Sequence, residues 1–136
     1  MNPPRYLLDT NICLYIRRHQ PPKVLAHFQR LKAGEAAISV ITSGELHYGA
    51  EKSQHRARAL VQLEELATLV PVLPLPESAA LTYGVIRRQL ESRGETIGNN
   101  DLWIAAHAKA AELILVTNNE REFKRVVGLK VQNWAE

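Results

Sequence analysis

One short apolar run near the start of the chain constrains the fold more than any other feature. It spans Arg5–Asn11 and ends in three polar residues, Asp9, Thr10 and Asn11. A run this short, apolar on both faces, is typical of a central strand in a parallel sheet. Thr10 or Asn11 is predicted to cap a helix over Ile12–Arg18. Because open α/β sheets bind ligands beyond the carboxyl ends of their strands, Asp9 is predicted to lie at such a site.

Strands and helices alternate through the rest of the chain. Further strands are predicted over Ala36–Val40, Val70–Leu73, Leu113–Thr117 and near Lys130–Gln132. Helices are predicted from Lys23 and over about Thr42–Lys52, His55–Ala67, Glu77–Arg93, Asp101–Ala111 and Glu120–Lys124. Pro71 indicates an edge position for its strand. The alternation predicts a three-layer α/β/α sandwich around a mostly parallel sheet, and 136 residues fit one domain, 1–136.

Composition restricts the classes of function. The net charge is +3, which is compatible with a polyanionic partner but does not establish one, and the candidates for phosphate contact are Arg17, Arg18, Lys52 and Arg56. There is no apolar run of membrane-spanning length and only one cysteine, so a cytoplasmic protein without disulfides is predicted. A phosphate-binding glycine loop, a cysteine-based zinc site and a serine nucleophile elbow are absent from the sequence.

Three acids follow strands or open helices: Asp9, Glu45 and Asp101. Each has a structural explanation, as a strand-end cap, a capping-box partner of Thr42 or a helix-dipole charge. Together they favour a site, because the carboxyl ends of parallel strands meet at one edge. Two carboxylates about 4 Å apart repel by about 4 kcal/mol at an effective dielectric constant near 20. Such a cluster takes up protons or binds a cation such as Mg²⁺ or Mn²⁺, which suits phosphodiester hydrolysis.

The same residues lie in segments that resemble the PIN-domain ribonucleases, and within them the VapC-type toxins. The matching segments are Leu7–Asn11, Ile41–Leu46 with Gly49, Gly98–Ala108 and Leu115–Phe123. Together they cover essentially the whole chain in order.

The resemblance implies a single PIN-like domain that acts as a Mg²⁺- or Mn²⁺-dependent endoribonuclease. By the matching motifs, Asp9, Glu45 and Asp101 would be metal ligands. Asn119 stands where many family members have a fourth acid, so it would bind through its carbonyl or orient a water. Asn11, Thr117 and Asn118 would support these groups.

The resemblance also implies partners and a target. It implies a homodimer, inhibition by a VapB antitoxin and a role in a type II toxin-antitoxin system. The Asn-Asn-Asp and Thr-Asn-Asn variants resemble the branch that cuts initiator tRNA in the anticodon loop and so blocks translation. Two alternatives remain at this point: a catalytically inert PIN-like module that binds RNA or protein, and a haloacid-dehalogenase-type phosphatase. The phosphatase is disfavoured because Asn11 replaces the second Asp of its motif.

Overall fold

A five-stranded, entirely parallel sheet forms the centre of the computed structural model, which describes residues 2–136. The strand order is β3-β2-β1-β4-β5. The strands are β1 (Tyr6–Leu8), β2 (Ala36–Ser39), β3 (Val72–Leu73), β4 (Ile114–Val116) and β5 (Val131–Gln132). The central place of β1 and the edge place of β3 are as predicted from the sequence.

Seven helices within the described residues cover the sheet. They are α1 (Thr10–Arg18), α2 (Pro22–Gln29), α3 (Val40–Glu51), α4 (Arg56–Leu69), α5 (Ala79–Ser92), α6 (Asn99–Ala110) and α7 (Glu120–Phe123). Side chains alternate across the strands, so Leu7 and Leu115 pack with α5 and α6, whereas Leu8 and Val116 pack with α1 to α4. The predicted α/β/α sandwich with a parallel sheet is therefore confirmed.

The starts of α1 and α3 differ from the sequence predictions in a way that bears on the acids. Asp9 itself caps α1, since its Oδ1 accepts a hydrogen bond from the backbone N–H of Thr10 at 2.8 Å. Helix α3 begins at Val40 because Ser39 caps it, two residues before the predicted capping box at Thr42. Thr42 is fully buried within α3. The capping-box explanation of Glu45 was therefore wrong, and Glu45 is free for another role.

Helix α6 begins two residues before its predicted start, at Asn99, which leaves Asp101 in the first turn. A buried contact of 2.9 Å between His107 Nδ1 and Ser39 Oγ joins α6 to the start of α3. This contact fixes the helix that carries Asp101 against the helix that carries Glu45.

The apolar face of α5 is narrower than its sequence predicts. Helical spacing predicts one apolar stripe of Leu81, Val85, Ile86 and Leu90 that faces the core. Ile86 and Leu90 are buried, but Leu81 is 77% exposed and Val85 is 46% exposed, so the prediction was wrong for these two. Between residues 2 and 136, every helix is too short or too polar to cross a membrane.

Candidate active site

Asp9 lies at the carboxyl end of the central strand and is almost completely buried. Its backbone N–H donates to the carbonyl of Val116 at 2.9 Å, which fixes it beside the end of β4. Its Oδ2 accepts a 2.8 Å hydrogen bond from the Thr117 hydroxyl, and its Oδ1 accepts from Thr10 N–H. Burial raises the pKa of Asp9, against the two hydrogen bonds that lower it, and nearby Glu45 raises it further.

Glu45 is held in the site by a residue that the sequence suggested only as a helix cap. The hydroxyl of Thr10 donates to Glu45 Oε1 at 2.7 Å. Thr10 thus contacts both Asp9, through its backbone, and Glu45, through its side chain. The link joins the first turn of α1 to the second turn of α3, whose sequence positions are far apart.

Asp101 is half-buried, and no hydrogen bond to its carboxylate is formed within residues 2–136. Burial is the largest cause that raises its pKa, to about 7, and the negative charges of Asp9, Glu122 and Glu45 raise it further. A carboxyl group in this state holds a proton near neutral pH unless a cation stabilises its charge.

Glu122 is a fourth acid of the site that the sequence analysis missed. It lies on α7, and its charge raises the pKa of both Asp9 and Asp101. The side-chain amide of Asn119 donates a hydrogen bond to Glu122 Oε2, so Asn119 contacts an acid of the site directly. The sequence signal that could have identified it is its position in the first turn of α7, the helix that follows β4. Strand β4 ends at the same edge of the sheet as β1.

Asn11 and Asn118 contact each other rather than the carboxylates. Asn11 Nδ2 donates to Asn118 Oδ1 at 3.3 Å, and Asn118 Nδ2 donates to the Tyr15 hydroxyl at 2.7 Å. These contacts tie α1 to the loop after β4. Thr117, by contrast, bridges the site, since its hydroxyl donates to Asp9 and accepts from Asn119 N–H at 3.0 Å.

The donor chemistry of the site fits a hard divalent cation. Within residues 2–136, no three His, Cys, Asp or Glu side chains lie close enough together to hold a metal ion by themselves. The four acids nevertheless share one electrostatic environment, because each of the other three raises the pKa of Asp101. Mg²⁺ keeps several waters and needs only one or two protein carboxylates, and Mn²⁺ accepts the same oxygen ligands. An all-oxygen set with no histidine or thiolate does not suit zinc.

A basic groove extends from the acids. Its volume is about 410 Å³, and its lining includes Thr10 and Glu45 of the site. We name it for the three arginines of that lining, Arg17, Arg18 and Arg58, which apolar residues accompany. The structure therefore places two of the four predicted phosphate-contacting residues, Arg17 and Arg18, beside the site.

The other two lie outside the lining of the basic groove. Arg56 forms a two-pronged salt bridge with Glu51, with both N–O distances at 2.9 Å. Lys52 lies over the ring of Tyr48, 4.7 Å from its centre. Arg58, which the sequence analysis did not select as a phosphate contact, lines the basic groove.

Comparisons with known proteins agree with this geometry. The family model described as "PIN domain" matches residues 6–129. "Ribonuclease VapC2" of Haemophilus influenzae is 42% identical over 130 residues, which cover 96% of this chain and 98% of that protein. The "tRNA(fMet)-specific endonuclease VapC" of Shigella flexneri is 42% identical over 131 residues, with the same coverage. The solved structure of VapBC-1 from nontypeable Haemophilus influenzae has a TM-score of 0.89 at 37% identity and covers 96% of this chain and 98% of that chain.

Proposed function

The chain belongs to the PIN-domain family and, within it, to the VapC ribonucleases; from that premise we propose that it is a Mg²⁺-dependent endoribonuclease toxin that cleaves initiator tRNA in the anticodon loop. The observation that carries the proposal is Asp101, a half-buried carboxyl group whose pKa is raised to about 7 next to three other acids. A divalent cation would stabilise the negative charge of these acids, which no cationic side chain of residues 2–136 compensates.

Asp9, Glu45, Asp101 and Glu122 are the groups that would hold the ion. Bound Mg²⁺, or Mn²⁺ in its place, would lower the pKa of a water and neutralise the charge that develops on the phosphate. The chain prepares its acids for this task with uncharged donors: Thr117 and Thr10 orient Asp9, and Thr10 also orients Glu45.

Asn119 orients Glu122 in this proposal and does not bind the ion itself. Its amide nitrogen donates to Glu122, and its own backbone N–H is fixed by the Thr117 hydroxyl. The fourth acid that the family resemblance places at position 119 is therefore supplied three residues later, from α7.

The basic groove would hold the RNA backbone on its way to the acids. Arg17, Arg18 and Arg58 line it together with Glu45, one of the acids of the site. Lys52 and Arg56 would contribute to the positive field around the groove. The target is proposed from the Shigella flexneri relative, which is described as specific for tRNA(fMet).

We further propose that this chain is the toxin of a VapBC-type toxin-antitoxin pair and acts as a homodimer. The antitoxin pairing is supported by the solved VapBC-1 structure, which this chain matches over 96% of its length. The homodimer, and inhibition of the toxin by a VapB-type antitoxin, are proposed from the family resemblance.

The test is cleavage of purified initiator tRNA and of its anticodon stem-loop with Mg²⁺, with Mn²⁺ and with EDTA. We expect cuts within the loop with either metal and none with EDTA. A protein that binds the RNA but leaves it intact in Mg²⁺ would instead be the inert binding module. Cleavage of other RNAs but not of initiator tRNA would contradict only the target.

A further inference from the structure

A second depression borders the acids, and its chemistry differs from that of the basic groove. Its volume is about 640 Å³, and only Thr10 and Glu45 belong to both linings. The rest of its lining forms what we call the Tyr48 surface, which consists of Val40, Ile41, Gly44, Tyr48 and Asn100. Glu45 therefore lies between an arginine-lined groove and a largely apolar surface.

Tyr48 is 66% exposed, whereas the other three tyrosines, Tyr6, Tyr15 and Tyr83, are partly buried. The rings of Tyr6 and Tyr83 pack against Trp134 and Trp103. The ammonium group of Lys52 lies over the Tyr48 ring, 4.7 Å from its centre. Val40 beside it is 45% exposed.

The position of Tyr48 relative to the acids is set by helical geometry. Tyr48 follows Glu45 by three residues on α3, so the two side chains are neighbours on one face of the helix. Gly44 and the α6 residue Asn100 belong to the same lining, and the space beside Gly44 is open. A flat aromatic ring, a nearby cation and an amide are the groups that bind an unpaired base by stacking, charge and edge contacts.

We infer that the Tyr48 surface binds one unpaired base of the RNA, adjacent to the phosphate that is cleaved. The backbone on the other side of that phosphate follows the basic groove, so the RNA strand crosses the acids at Glu45. This inference rests on the proposed function. It favours RNA over a protein occupant because the surface is continuous with the acids that the substrate must reach.

The experiment combines protein variants with removal of single bases. The probe is the anticodon stem-loop of initiator tRNA, made intact and with each loop base removed in turn. The kcat/KM for cleavage is measured with the wild type, Tyr48→Ala, Tyr48→Leu and Tyr48→Phe, and with Leu81→Ala as a control for loss of an exposed apolar side chain on α5.

We expect Tyr48→Ala and Tyr48→Leu to lower kcat/KM by about tenfold, within the range for one stacked base, and Tyr48→Phe to retain it. At one loop position, base removal should cost the wild type about the same factor but cost Tyr48→Ala nothing more. Leu81→Ala should match the wild type at every position.

Two outcomes would overturn the inference, and they are distinguishable. If the wild type does not cleave the stem-loop in Mg²⁺, the proposed target fails and the base site fails with it. If the wild type cleaves it and Tyr48→Ala does so equally well, or loses activity equally at every position, only the base site fails. Loss of antitoxin binding in an otherwise active Tyr48→Ala would then assign the surface to a protein partner.

Discussion

Carboxylates lie in opposite electrostatic environments at the two ends of the parallel strands. We call these ends the amino edge, where the strands begin, and the carboxyl edge, where they finish. At the amino edge, Glu35 accepts hydrogen bonds from the Lys32 N–H at 2.8 Å and from Arg5 at 3.1 Å, and these contacts lower its pKa. At the carboxyl edge, burial raises the pKa of Asp9, and burial together with neighbouring acids raises the pKa of Asp101 to about 7. The same protein thus neutralises an acid at one edge and leaves acids uncompensated at the other.

The difference does not arise from a shortage of cations. The chain has 17 Lys and Arg residues, yet each salt bridge among residues 2–136 joins a cation to an acid outside the site. Asp9, Glu45 and Glu122 instead receive hydrogen bonds from the uncharged groups of Thr117, Thr10 and Asn119, respectively. Such donors orient a carboxylate without cancelling its charge, which keeps the charge available for a metal ion.

Removing one charge from each edge is the strongest test of this contrast. We expect Asp9→Asn to reduce cleavage of initiator tRNA by roughly a thousandfold, because it removes charge where the reaction needs electrostatic stabilisation. Glu35→Gln, the matched change at the amino edge, should leave cleavage unchanged. Circular dichroism checks that both variants are folded. A folded Asp9→Asn protein with wild-type activity would rule out the proposed site.

Variants of Glu122 and Asn119 test two contributions separately: the negative charge of an acid and the hydrogen bond that orients it. Glu122→Gln should lower cleavage by about a hundredfold, because it keeps the shape of the side chain but loses the charge. Asn119→Ala should lower cleavage by about tenfold, since removal of an orienting partner typically costs 10- to 100-fold. Both rates are measured on the same tRNA over a Mn²⁺ titration. If Asn119→Ala is as inactive as Asp9→Asn, Asn119 binds the metal itself.

Sequence patterns predicted the parts of the fold and site that depend on local order along the chain. The apolar run before Asp9 predicted a central strand, and strands β2 and β4 were predicted by the same reasoning. The position of Asp9 followed directly, because a residue after a buried parallel strand must lie at the carboxyl edge.

The remaining features depend on contacts between distant segments. Helix α7 is only four residues long, so its sequence alone could not show whether Glu120 or Glu122 faces the acids; burial of Phe123 helps to fix its rotation. Similarly, Arg56 and Arg58 are equivalent in sequence, and the salt bridge of Arg56 with Glu51 distinguishes them only in the folded chain.

The basic groove supplies the positive charge that the acids lack. We expect Arg58→Ala to weaken tRNA binding and to lower the slope of log affinity against log salt by about 0.7–0.9, the value for one lost phosphate contact. Arg30→Ala, at an exposed position outside the groove, should leave the slope unchanged. Binding is measured by fluorescence anisotropy in the Asp9→Asn background, over a range of salt concentrations. An unchanged slope in Arg58→Ala would mean that the RNA backbone follows another path.

The smallest expected effect is on the pH dependence of stability, which should have opposite signs for Asp101 at the carboxyl edge and Glu35 at the amino edge. Asp101 titrates near its ordinary value of about 3.9 in the unfolded chain and at about 7 in the folded one. The folded state therefore binds the extra proton, and the stability of the metal-free protein should fall as pH rises from about 4 to about 7. The pKa of Glu35 is lowered on folding, so its contribution is present at neutral pH and is lost on acidification.

Melting temperatures in EDTA between pH 4 and pH 8 check both signs. Asp101→Asn should flatten the decline and stabilise the protein at pH 8 by about 1 kcal/mol, a value that allows for the partial exposure of the carboxyl group. Glu35→Gln should lower the melting temperature slightly at pH 8 and converge with the wild type at low pH. Mg²⁺ should raise the melting temperature of the wild type more than that of Asp101→Asn, because the cation stabilises the charge that the variant lacks. If Asp101→Asn is no more stable than the wild type at pH 8 in EDTA, the acids of the carboxyl edge are not held in mutual repulsion.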